Sequence, residues 1–420
     1  MLIIYNTLQI GGIETFYVRL AKERFRRGLK TKILLTQPKY LNNKELLDNM
    51  QKYAEVFFLE DYSFIPKRLI KFITQHFLLL HPIKIKKIKK VFEDVSSVHV
   101  SSSIYGFFYL RIASVLKLNI PLSIGVYHSM EFCWSFKKGL PFYERKNREL
   151  FFDKKYLCNR IFFNEKVAES TVGKESVPCF PLGVIENIDE NLNKKIRNKQ
   201  LLIGCVGRLV SFKTYNIWIL GVIKELRSDG VDVKLVVYGD GPLEKEMEKI
   251  IKNLEIEDCV KLSGTLPYSE FKKVVKEFDI FIGSGTAIVE AASLGVPSII
   301  GVEKVKEPMT YGFFSDILGF SYNEDGFYEK LSALELIRNY VNMDEIKKKD
   351  LAMRHIEKSK CFSIESCVNN FEEINLKRTN GETIEKFSKL MFRIQYCLSY
   401  FFFVLGFKIR KKNYGETVYG

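Results

Sequence analysis

The sequence predicts an α/β protein with two doubly wound parallel-sheet domains, in which helices cover both faces of each sheet. Three observations predict this fold. The chain has 420 residues, a length that suits two domains of ordinary size. Short apolar runs alternate with amphipathic helical runs in both halves, as parallel strands and their crossover helices require. Hydrophobic residues make up 46% of the chain and aromatic residues 14%, which is enough for two buried cores.

The first half opens as a strand, a glycine turn and a helix. An apolar run is broken by the pair GG, and the stretch that follows carries apolar residues at helical spacing as far as Gly28. Three further apolar runs with helical stretches between them predict a parallel sheet. The strands predicted in this half are LIIYNTL, KTKILLT, SSVHVSS (96–102) and PLSIGVYH (121–128).

The second half repeats the alternation more clearly. Apolar runs end in glycine-containing loops, and amphipathic helices follow them. Ligands of doubly wound sheets bind beyond the carboxyl ends of the strands, so the cleft between two such domains is the expected site. The predicted strands lie in residues 200–210, 233–243, 260–264, 279–283 and 296–302.

These patterns divide the chain into five segments. A polar, asparagine-rich stretch separates the two halves, and after about residue 376 the composition becomes aromatic and basic. The predicted segments are a first domain at 1–185, a linker at 186–198, a second domain at 199–362, a helical segment at 363–380 and a tail at 381–420.

Positive charge is concentrated in the first half of the chain. The net charge is +15; residues 1–185 carry 30 basic and 16 acidic side chains, whereas residues 186–420 carry 35 and 34. The densest stretch, residues 66–92, has eight bases and no acid, interleaved with Phe, Leu and Ile. This pattern favours an amphipathic segment on an anionic membrane surface. A solvated basic helix face is the alternative, and nucleic-acid binding is disfavoured because no binding motif accompanies the charge.

The tail at residues 386–412 predicts an amphipathic helix flanked by bases. Its uncharged apolar stretch, residues 394–407, is 14 residues long, short for a bilayer span of about 20 residues. We therefore expect an interfacial helix, with packing against the protein's own core as the alternative. The eight scattered cysteines indicate reduced thiols. Together these features predict a cytoplasmic protein, peripheral on the inner face of the cytoplasmic membrane.

Three loops of the second half carry the candidate chemistry. Arg208 and Lys213 follow a strand, where two fixed cations suit a diphosphate, although cations in loops are often only solvated. YGDGP follows the next strand and is compatible with close ligand approach or with an ordinary turn. Gly285 precedes a helix whose first amides suit an anion. Glu290, the one charge between residues 280 and 302, lies about a turn further on and could accept hydrogen bonds from hydroxyl groups.

The order and spacing of these motifs resemble the donor half of the family 4 glycosyltransferases, which adopt the two-domain GT-B fold. The first half agrees with this resemblance, which covers roughly residues 1–376. The motifs that carry it are GRL…K, GDGPL, LSG, FDIFI and VEAASLGVPSI in the second half, GGIETF, VYHSM and FPLGV in the first, and CFSIESCVNNFEEI at the closing helix.

The resemblance implies that 1–185 is the acceptor-side domain, that 199–362 is the nucleotide-sugar-binding domain and that 363–380 is a crossover helix. It also implies roles for residues of the donor half. Arg208 and Lys213 match the pair that binds the donor diphosphate and stabilises its charge in catalysis. Gly285 and Thr286 match the amides at the start of the helix. Glu290 matches the acid that binds the donor ribose.

The resemblance also reaches the first half and exposes one departure. Gly12 matches the glycine loop that lies against the phosphates and the sugar, and His128 matches the catalytic histidine near the transferred sugar. Gly264 would place backbone near the nucleobase. The family has a second glutamate eight positions before Glu290, where this chain has Ile282, so the donor sugar is the feature most in doubt.

The function that follows is a retaining, metal-independent, hexosyl-type glycosyltransferase. It would use a UDP- or GDP-sugar as co-substrate, with no metal because no D-x-D motif is present. The expected acceptor is a membrane-associated glycan or lipid-linked glycan of bacterial surface polysaccharide or lipopolysaccharide synthesis, contacted by residues 130–146. Two alternatives stay open: a non-catalytic nucleotide-sugar-binding partner protein, and a nucleotide-sugar epimerase of the same fold.

Overall fold

The computed structural model describes residues 1–72, 75–128, 140–187 and 200–414, with side chains described as far as residue 406. The described chain forms two compact units. Unit 1 joins Met1–Pro181 to Cys367–Thr417, and unit 2 is Leu182–Ser366. Most of the predicted linker and residues 130–139 of the predicted acceptor stretch lie outside the described residues.

Unit 1 contains a six-stranded parallel sheet in the order β3-β2-β1-β4-β5-β6. The central strand is entirely apolar except at its end, and its residue Ile3 pairs with Ile33 on one side and His99 on the other. The predicted doubly wound sheet is confirmed. The strands are β1 (Leu2–Tyr5), β2 (Lys32–Leu35), β3 (Glu55–Phe58), β4 (Val98–Val100), β5 (Leu122–Val126) and β6 (Arg160–Phe162).

The helices of unit 1 cover both faces of this sheet. The first helix begins after the extended residue Gly11 and ends near Gly28, whose φ of +73° suits glycine. Within the stretch 66–92, the described residues form short helical pieces and not one helix, and their apolar side chains Ile70, Ile88 and Val91 are buried. The helices are α1 (Gly12–Arg26), α2 (Lys44–Tyr53), α3 (Lys67–Ile70), α4 (Ile85–Ile88), α5 (Ser103–Leu116), α6 (Phe142–Phe151) and α7 (Glu165–Val172).

Two strands of unit 1 are absent from the sequence prediction, β3 and β6. Strand β6 contains Arg160, which is fully buried. Arginine is rarely buried, so its presence in the sequence argues against a core strand. Its guanidinium donates hydrogen bonds to the carbonyls of Phe151 (2.9 Å) and Leu150 (2.6 Å) at the end of α6. The charge is therefore buried against helix C-terminal carbonyls, an arrangement that a single-strand pattern does not reveal.

Unit 2 contains a five-stranded parallel sheet in the order β11-β10-β7-β8-β9. Gly204 lies in the middle of the central strand because Phe278 packs directly on it; a Cβ there would lie 2.1 Å from the ring. A two-stranded antiparallel ribbon, β12 with β13, stands apart from this sheet. The strands are β7 (Leu201–Val206), β8 (Val233–Tyr238), β9 (Val260–Leu262), β10 (Ile280–Gly283), β11 (Ser298–Ile300), β12 (Met309–Thr310) and β13 (Leu331–Ser332).

The helices of unit 2 pack on both faces of its sheet and bury two apolar clusters, one on each side. The predicted second doubly wound domain is therefore confirmed as well. The helices are α8 (Tyr215–Ser228), α9 (Glu244–Asn253), α10 (Phe271–Val275), α11 (Thr286–Ser293), α12 (Ala333–Val341) and α13 (Glu345–Lys360), followed by α14 (Ile364–Glu373), which carries the chain back to unit 1.

The C-terminal helices α15 (Gly381–Ser388) and α16 (Leu390–Tyr414) pack on unit 1. Tyr396 is fully buried, and its ring contacts the ring of Phe107 with centroids 5.6 Å apart. The ring of His76 stacks on Tyr400 at 3.6 Å. One face of α16 is therefore part of the unit 1 core. Within the described residues, no helix combines the length and the apolar character needed to cross a bilayer.

Candidate functional site

The predicted donor-site residues of unit 2 lie in loops and in the first turns of α11, at one edge of its sheet. All five strands are parallel, so the loops that follow them meet at the carboxyl edge. Backbone hydrogen bonds join neighbouring loops: the Gly207 N–H donates to Tyr238 (2.9 Å), the Leu209 N–H to Asp240 (2.8 Å), and the Gly239 N–H to Gly264 (2.8 Å).

Glycine is required where these loops touch. A Cβ on Gly239 would lie 1.9 Å from the carbonyl oxygen of Gly207, and one on Gly241 would lie 2.3 Å from that of Leu209. Both glycines have φ values near +150°, which side-chain-bearing residues rarely adopt. The glycines of the GDGP turn therefore allow its backbone to pack directly against the loop after β7. This packing holds the loop of Arg208 in place.

The two predicted cations lie on the loop between β7 and α8. Arg208 is exposed and Lys213 is half-buried. The Lys213 side chain folds back over the loop, so that its Nζ lies 3.1 Å from the point where a Cβ on Gly207 would be. The absence of a side chain at Gly207 thus makes room for the ammonium group at the edge of the sheet.

The predicted anion site lies at the start of α11. Gly285 has a φ of +65° and directly precedes Thr286, the first residue of the helix. Its N–H donates to Oδ1 of Asn323 (2.8 Å), and its carbonyl accepts from the hydroxyl of Tyr322 (3.0 Å). The Gly285 amide therefore already has an acceptor, and an anion there would replace the Asn323 oxygen.

Glu290 lies a little over one turn into α11 and is half-buried. Its Oε2 accepts a hydrogen bond from the hydroxyl of Tyr268 at 3.4 Å. Glu290 therefore reaches the edge of the sheet, where one carboxylate can accept hydrogen bonds from several donors.

Ile282 is a core residue. It lies inside β10, is fully buried and pairs with Ile299 of β11. Only Ser284 and Gly285 separate β10 from α11, so the position eight residues before Glu290 lies within the sheet. A carboxylate at that position would enter the core; the short loop therefore explains why an apolar residue stands there.

Several polar residues at this edge were not predicted from the sequence, foremost Glu303. It follows β11, is 8% exposed, and accepts a hydrogen bond from Ser284 Oγ at 3.4 Å. Burial raises the pKa of Glu303 to about 7, against the opposing effect of Lys213. The sequence signal that could have identified Glu303 is its position just after the apolar run of β11, because the loops that follow parallel strands meet at one edge of the sheet.

Gly12 and His128 lie in unit 1, both at the carboxyl edge of its own sheet. Gly12 is the first residue of α1, and His128 is exposed two residues after β5 ends. Near the glycine loop, the hydroxyl of Tyr5 donates to Oε1 of Glu14 at 2.9 Å, which holds that carboxylate over Gly11. In the part of the chain that the structure describes, no three His, Cys, Asp or Glu side chains form a group suited to a metal ion.

Residues 187–332 match the family model of glycosyl transferases group 1. This match covers the loops of the unit 2 edge and confirms the resemblance to GT-B glycosyltransferases at that level. The narrower assignment to family 4 stays a prediction.

Curated relatives match the chain over shorter stretches. It is 30% identical over 125 residues to the amylovoran biosynthesis glycosyltransferase AmsK of Erwinia amylovora, over 26% of this chain and 30% of that protein. It is 26% identical over 147 residues to the putative colanic acid biosynthesis glycosyltransferase WcaL of Escherichia coli K12, over 32% of this chain and 34% of that protein. The chain thus spans about a third of the length of these relatives.

Solved structures resemble the chain over most of its length. The structure of TarM from S. aureus in complex with fondaparinux, α-GlcNAc-glycerol and UDP aligns with a TM-score of 0.61 at 13% identity, over 89% of this chain and 99% of that one. The pneumococcal O-GlcNAc transferase GtfA in complex with UDP and GlcNAc aligns with a TM-score of 0.55 at 12% identity, over 92% and 99%. At such low identity these likenesses establish the fold.

Proposed function

We propose that this protein is a glycosyltransferase that moves a sugar from a nucleotide-sugar donor to a membrane-associated glycan or lipid-linked acceptor in bacterial surface polysaccharide synthesis. One observation carries the proposal. The parallel sheet of unit 2 gathers two cations, a helix start and a half-buried carboxylate at one carboxyl edge, within residues that match the group 1 glycosyltransferases. AmsK and WcaL, named for polysaccharide synthesis, support the choice of pathway.

The cations of the β7–α8 loop have the clearest chemical role. Glycosyl transfer breaks the bond between the sugar and a diphosphate, and negative charge develops on the leaving group. Arg208 and Lys213 stabilise that charge from positions fixed by the glycine contacts of the loop. We propose that they do so without a metal ion, and that the sugar keeps its anomeric configuration because the acceptor attacks from the face on which the diphosphate leaves.

The start of α11 supports donor binding in two ways. The first amides of the helix favour an anion at Gly285 and Thr286. One turn further on, Glu290 accepts hydrogen bonds from the ribose hydroxyls, and the Tyr268 hydroxyl fixes the direction of its carboxylate. Gly264, whose backbone contacts the loop after β8, is assigned to the nucleobase. In unit 1 the proposal assigns Gly12 to the phosphates and sugar and His128 to the transferred sugar.

A membrane location is supported by the outer face of α16. Its inner face packs on unit 1, whereas apolar side chains on the outer face are exposed at helical spacing. Such a stripe on a half-buried helix suits the headgroup boundary of a bilayer. We propose peripheral binding at the inner face of the cytoplasmic membrane. The exposed stripe consists of Leu390, Met391, Ile394, Leu398, Phe401, Phe402 and Leu405.

Residues 64–72 supply the complementary charge. Exposed apolar side chains alternate there with exposed bases, and the helical turn at Gln75–Leu80 that follows packs against α16. Bases beside apolar side chains favour anionic lipid over neutral lipid. The apolar members are Phe64, Leu69 and Phe72, and the basic members are Lys67, Arg68 and Lys71.

The test of the donor proposal is a panel of nucleotide sugars screened by thermal unfolding, followed by calorimetry with the best ligand. Binding to the folded state raises the melting temperature by mass action. We expect at least one UDP- or GDP-sugar to raise it, and Arg208→Ala and Lys213→Ala each to remove most of the affinity. Activity that persists in excess chelator supports a metal-free reaction.

Two other outcomes would redirect the proposal. A ligand that binds but is neither transferred nor hydrolysed would favour a non-catalytic partner protein. Conversion of the donor without any acceptor would favour an epimerase. A full panel with no shift in melting temperature would contradict the donor assignment itself.

A further inference from the structure

Glu303 is a buried carboxylate at the carboxyl edge of the unit 2 sheet, and the proposed function assigns it no role. It lies three residues beyond the end of β11 and is 8% exposed. A buried carboxylate costs free energy unless charged or polar groups face it. The groups that face Glu303 therefore determine what it does.

Four groups interact with the Glu303 carboxylate. The pKa of Glu303 is raised to about 7, chiefly by burial; Glu324 also raises it, whereas Lys213, the Ser284 hydroxyl and Lys304 lower it. Lys213 is the cation to which the donor diphosphate is assigned. The buried carboxylate and the proposed ligand therefore act on the same ammonium group.

Two hydrogen bonds tie the loop after β11 to the loop after β7. The Lys304 N–H donates to the Phe212 carbonyl at 2.7 Å, and Thr214 Oγ1 donates to the Val305 carbonyl at 2.5 Å. Lys304 itself adopts a left-handed φ of +66°, which side chains seldom tolerate without compensating contacts. The backbone thus fixes the loop with the carboxylate against the loop with the ammonium.

Hydroxyl groups complete this cluster. The Lys213 ammonium and the Tyr215 hydroxyl both lie near Gly207, 3.1 Å and 3.9 Å from the position of a Cβ there. Tyr215 Oη and Ser284 Oγ are 3.5 Å apart, and Ser284 reaches Glu303. These hydroxyls therefore lead from the region of Gly207, where the Lys213 ammonium also lies, to the carboxylate of Glu303, across the loops after β7, β10 and β11.

We propose that Glu303 is a positioning residue that acts on donor binding through Lys213: its ionised carboxylate attracts the Lys213 ammonium and so competes with a diphosphate for it. The inference rests on the proposed function, because it takes a diphosphate as the ligand of Lys213. The ionised carboxylate and the diphosphate compete for one ammonium group. Protonation of Glu303 ends that competition, so diphosphate binding and proton uptake by Glu303 favour each other.

The affinity test uses UDP and GDP as probes, measured by calorimetry at pH 6 and pH 8. In the wild-type protein Glu303 is ionised at pH 8 and largely protonated at pH 6, so affinity should be higher at pH 6. Glu303→Gln keeps the size and loses the charge; we expect it to bind about tenfold more tightly than wild type at pH 8 and about equally at pH 6. Protonation of the nucleotide itself cancels in this comparison, because both proteins bind the same probe.

The matched control is Glu307→Gln, an exposed glutamate of the same loop. It should bind like wild type at both pH values. To show that Glu303 acts through Lys213, the Glu303→Gln change is repeated in a Lys213→Met background, where we expect less than a twofold effect on affinity. Equal wild-type and Glu303→Gln affinities at pH 8 would overturn the proposal, as would a tenfold effect that persists without Lys213.

A ligand-free measurement separates this inference from the proposed function. Urea unfolding of Glu303→Gln, Lys213→Met and the double variant at pH 8 forms a double-mutant cycle. We expect the midpoint shift of the double variant to differ from the combined single shifts, because the two side chains interact. Additive shifts would overturn the pairing, whereas a coupled pair in a protein that binds no nucleotide would contradict the proposed function alone.

Discussion

The hydroxyl of Tyr268 donates a hydrogen bond to Oε2 of Glu290 at 3.4 Å, and this contact joins the short helical turn before α10 to the first turns of α11. Glu290 is the one charged residue between residues 280 and 302. The contact directs its carboxylate along the edge of the sheet rather than into the core.

This relationship predicts the effect of removing either partner. Glu290→Gln should weaken UDP or GDP binding by roughly tenfold or more, because hydrogen bonds to a charged group contribute more than neutral ones. Tyr268→Phe should weaken it by roughly threefold, since only the orientation of the carboxylate is lost. Calorimetry measures both, with the exposed Glu257→Gln as the control. Full affinity in Glu290→Gln would contradict its assignment to the ribose.

The glycine contact between the loops after β7 and β8 predicts a pair of opposite stability changes. Gly239→Ala should destabilise the protein by about 2–4 kcal/mol, because its Cβ would meet the Gly207 carbonyl at a φ of +153°. Gly221→Ala, at an open position inside α8, should instead stabilise it by about 0.5–1 kcal/mol. Urea unfolding followed by circular dichroism measures both. Equal stability of the two variants would contradict the packing of these loops.

Much of the fold follows from local sequence pattern. The strands β1 and β7 are apolar runs beside glycine turns, and the helix that ends near Gly28 has a clear apolar period. Strand β6 was not predicted because the Arg160 guanidinium donates its hydrogen bonds to carbonyls at the end of α6. The local sequence around Arg160 does not indicate those partners. Strand β3 is only four residues long and partly exposed.

From the sequence, candidate site residues could be proposed only where a single loop carries the signal. Arg208, Lys213 and Glu290 stand out beside strands and glycines within a few residues. The cluster around Glu303 depends on the order of the strands in the sheet, which brings together loops distant in sequence. Helical period likewise showed that α16 is amphipathic but not which of its faces packs on unit 1.

Buried neutral histidines predict a loss of stability in mild acid. Burial lowers the pKa of His99 to about 3 and that of His355 to about 4, whereas the unfolded chain titrates near 6.5. Below pH 6.5 the unfolded state binds protons that the folded state does not, so stability falls as the pH decreases toward the folded-state values. Each of these residues should cost about 2 kcal/mol of unfolding free energy at pH 5 relative to pH 7.5.

Denaturant unfolding at several pH values checks this expectation. His355→Gln should reduce the acid-induced loss of stability, since it removes one of the groups that titrates only in the unfolded chain. Asn342→Gln is the control, because this exposed position carries no titratable group and its change should leave the pH dependence unchanged. An unchanged pH slope in His355→Gln would contradict the prediction.

The exposed stripe of α16 predicts binding to anionic membranes. Phe402 is 65% exposed and Leu398 49% exposed on the face opposite the buried Tyr396. Phe402→Ser with Leu398→Ser should remove apolar area from the membrane face while leaving the core contacts of α16 in place, and should reduce sedimentation with phosphatidylglycerol vesicles by tenfold or more. Binding to neutral phosphatidylcholine vesicles should be weak for every variant, because these vesicles offer no anionic headgroups to the bases of residues 64–72.

The matched control for this experiment is Ile346→Ser, an exposed apolar residue of unit 2 at 82% exposure. It removes a similar apolar group far from α16 in sequence, so sedimentation should equal that of wild type. Identical melting temperatures of the α16 variant and wild type would show that its fold is intact. If that variant still sediments fully with anionic vesicles, the stripe does not bind lipid. If wild type sediments with neither type of vesicle, the membrane proposal fails as a whole.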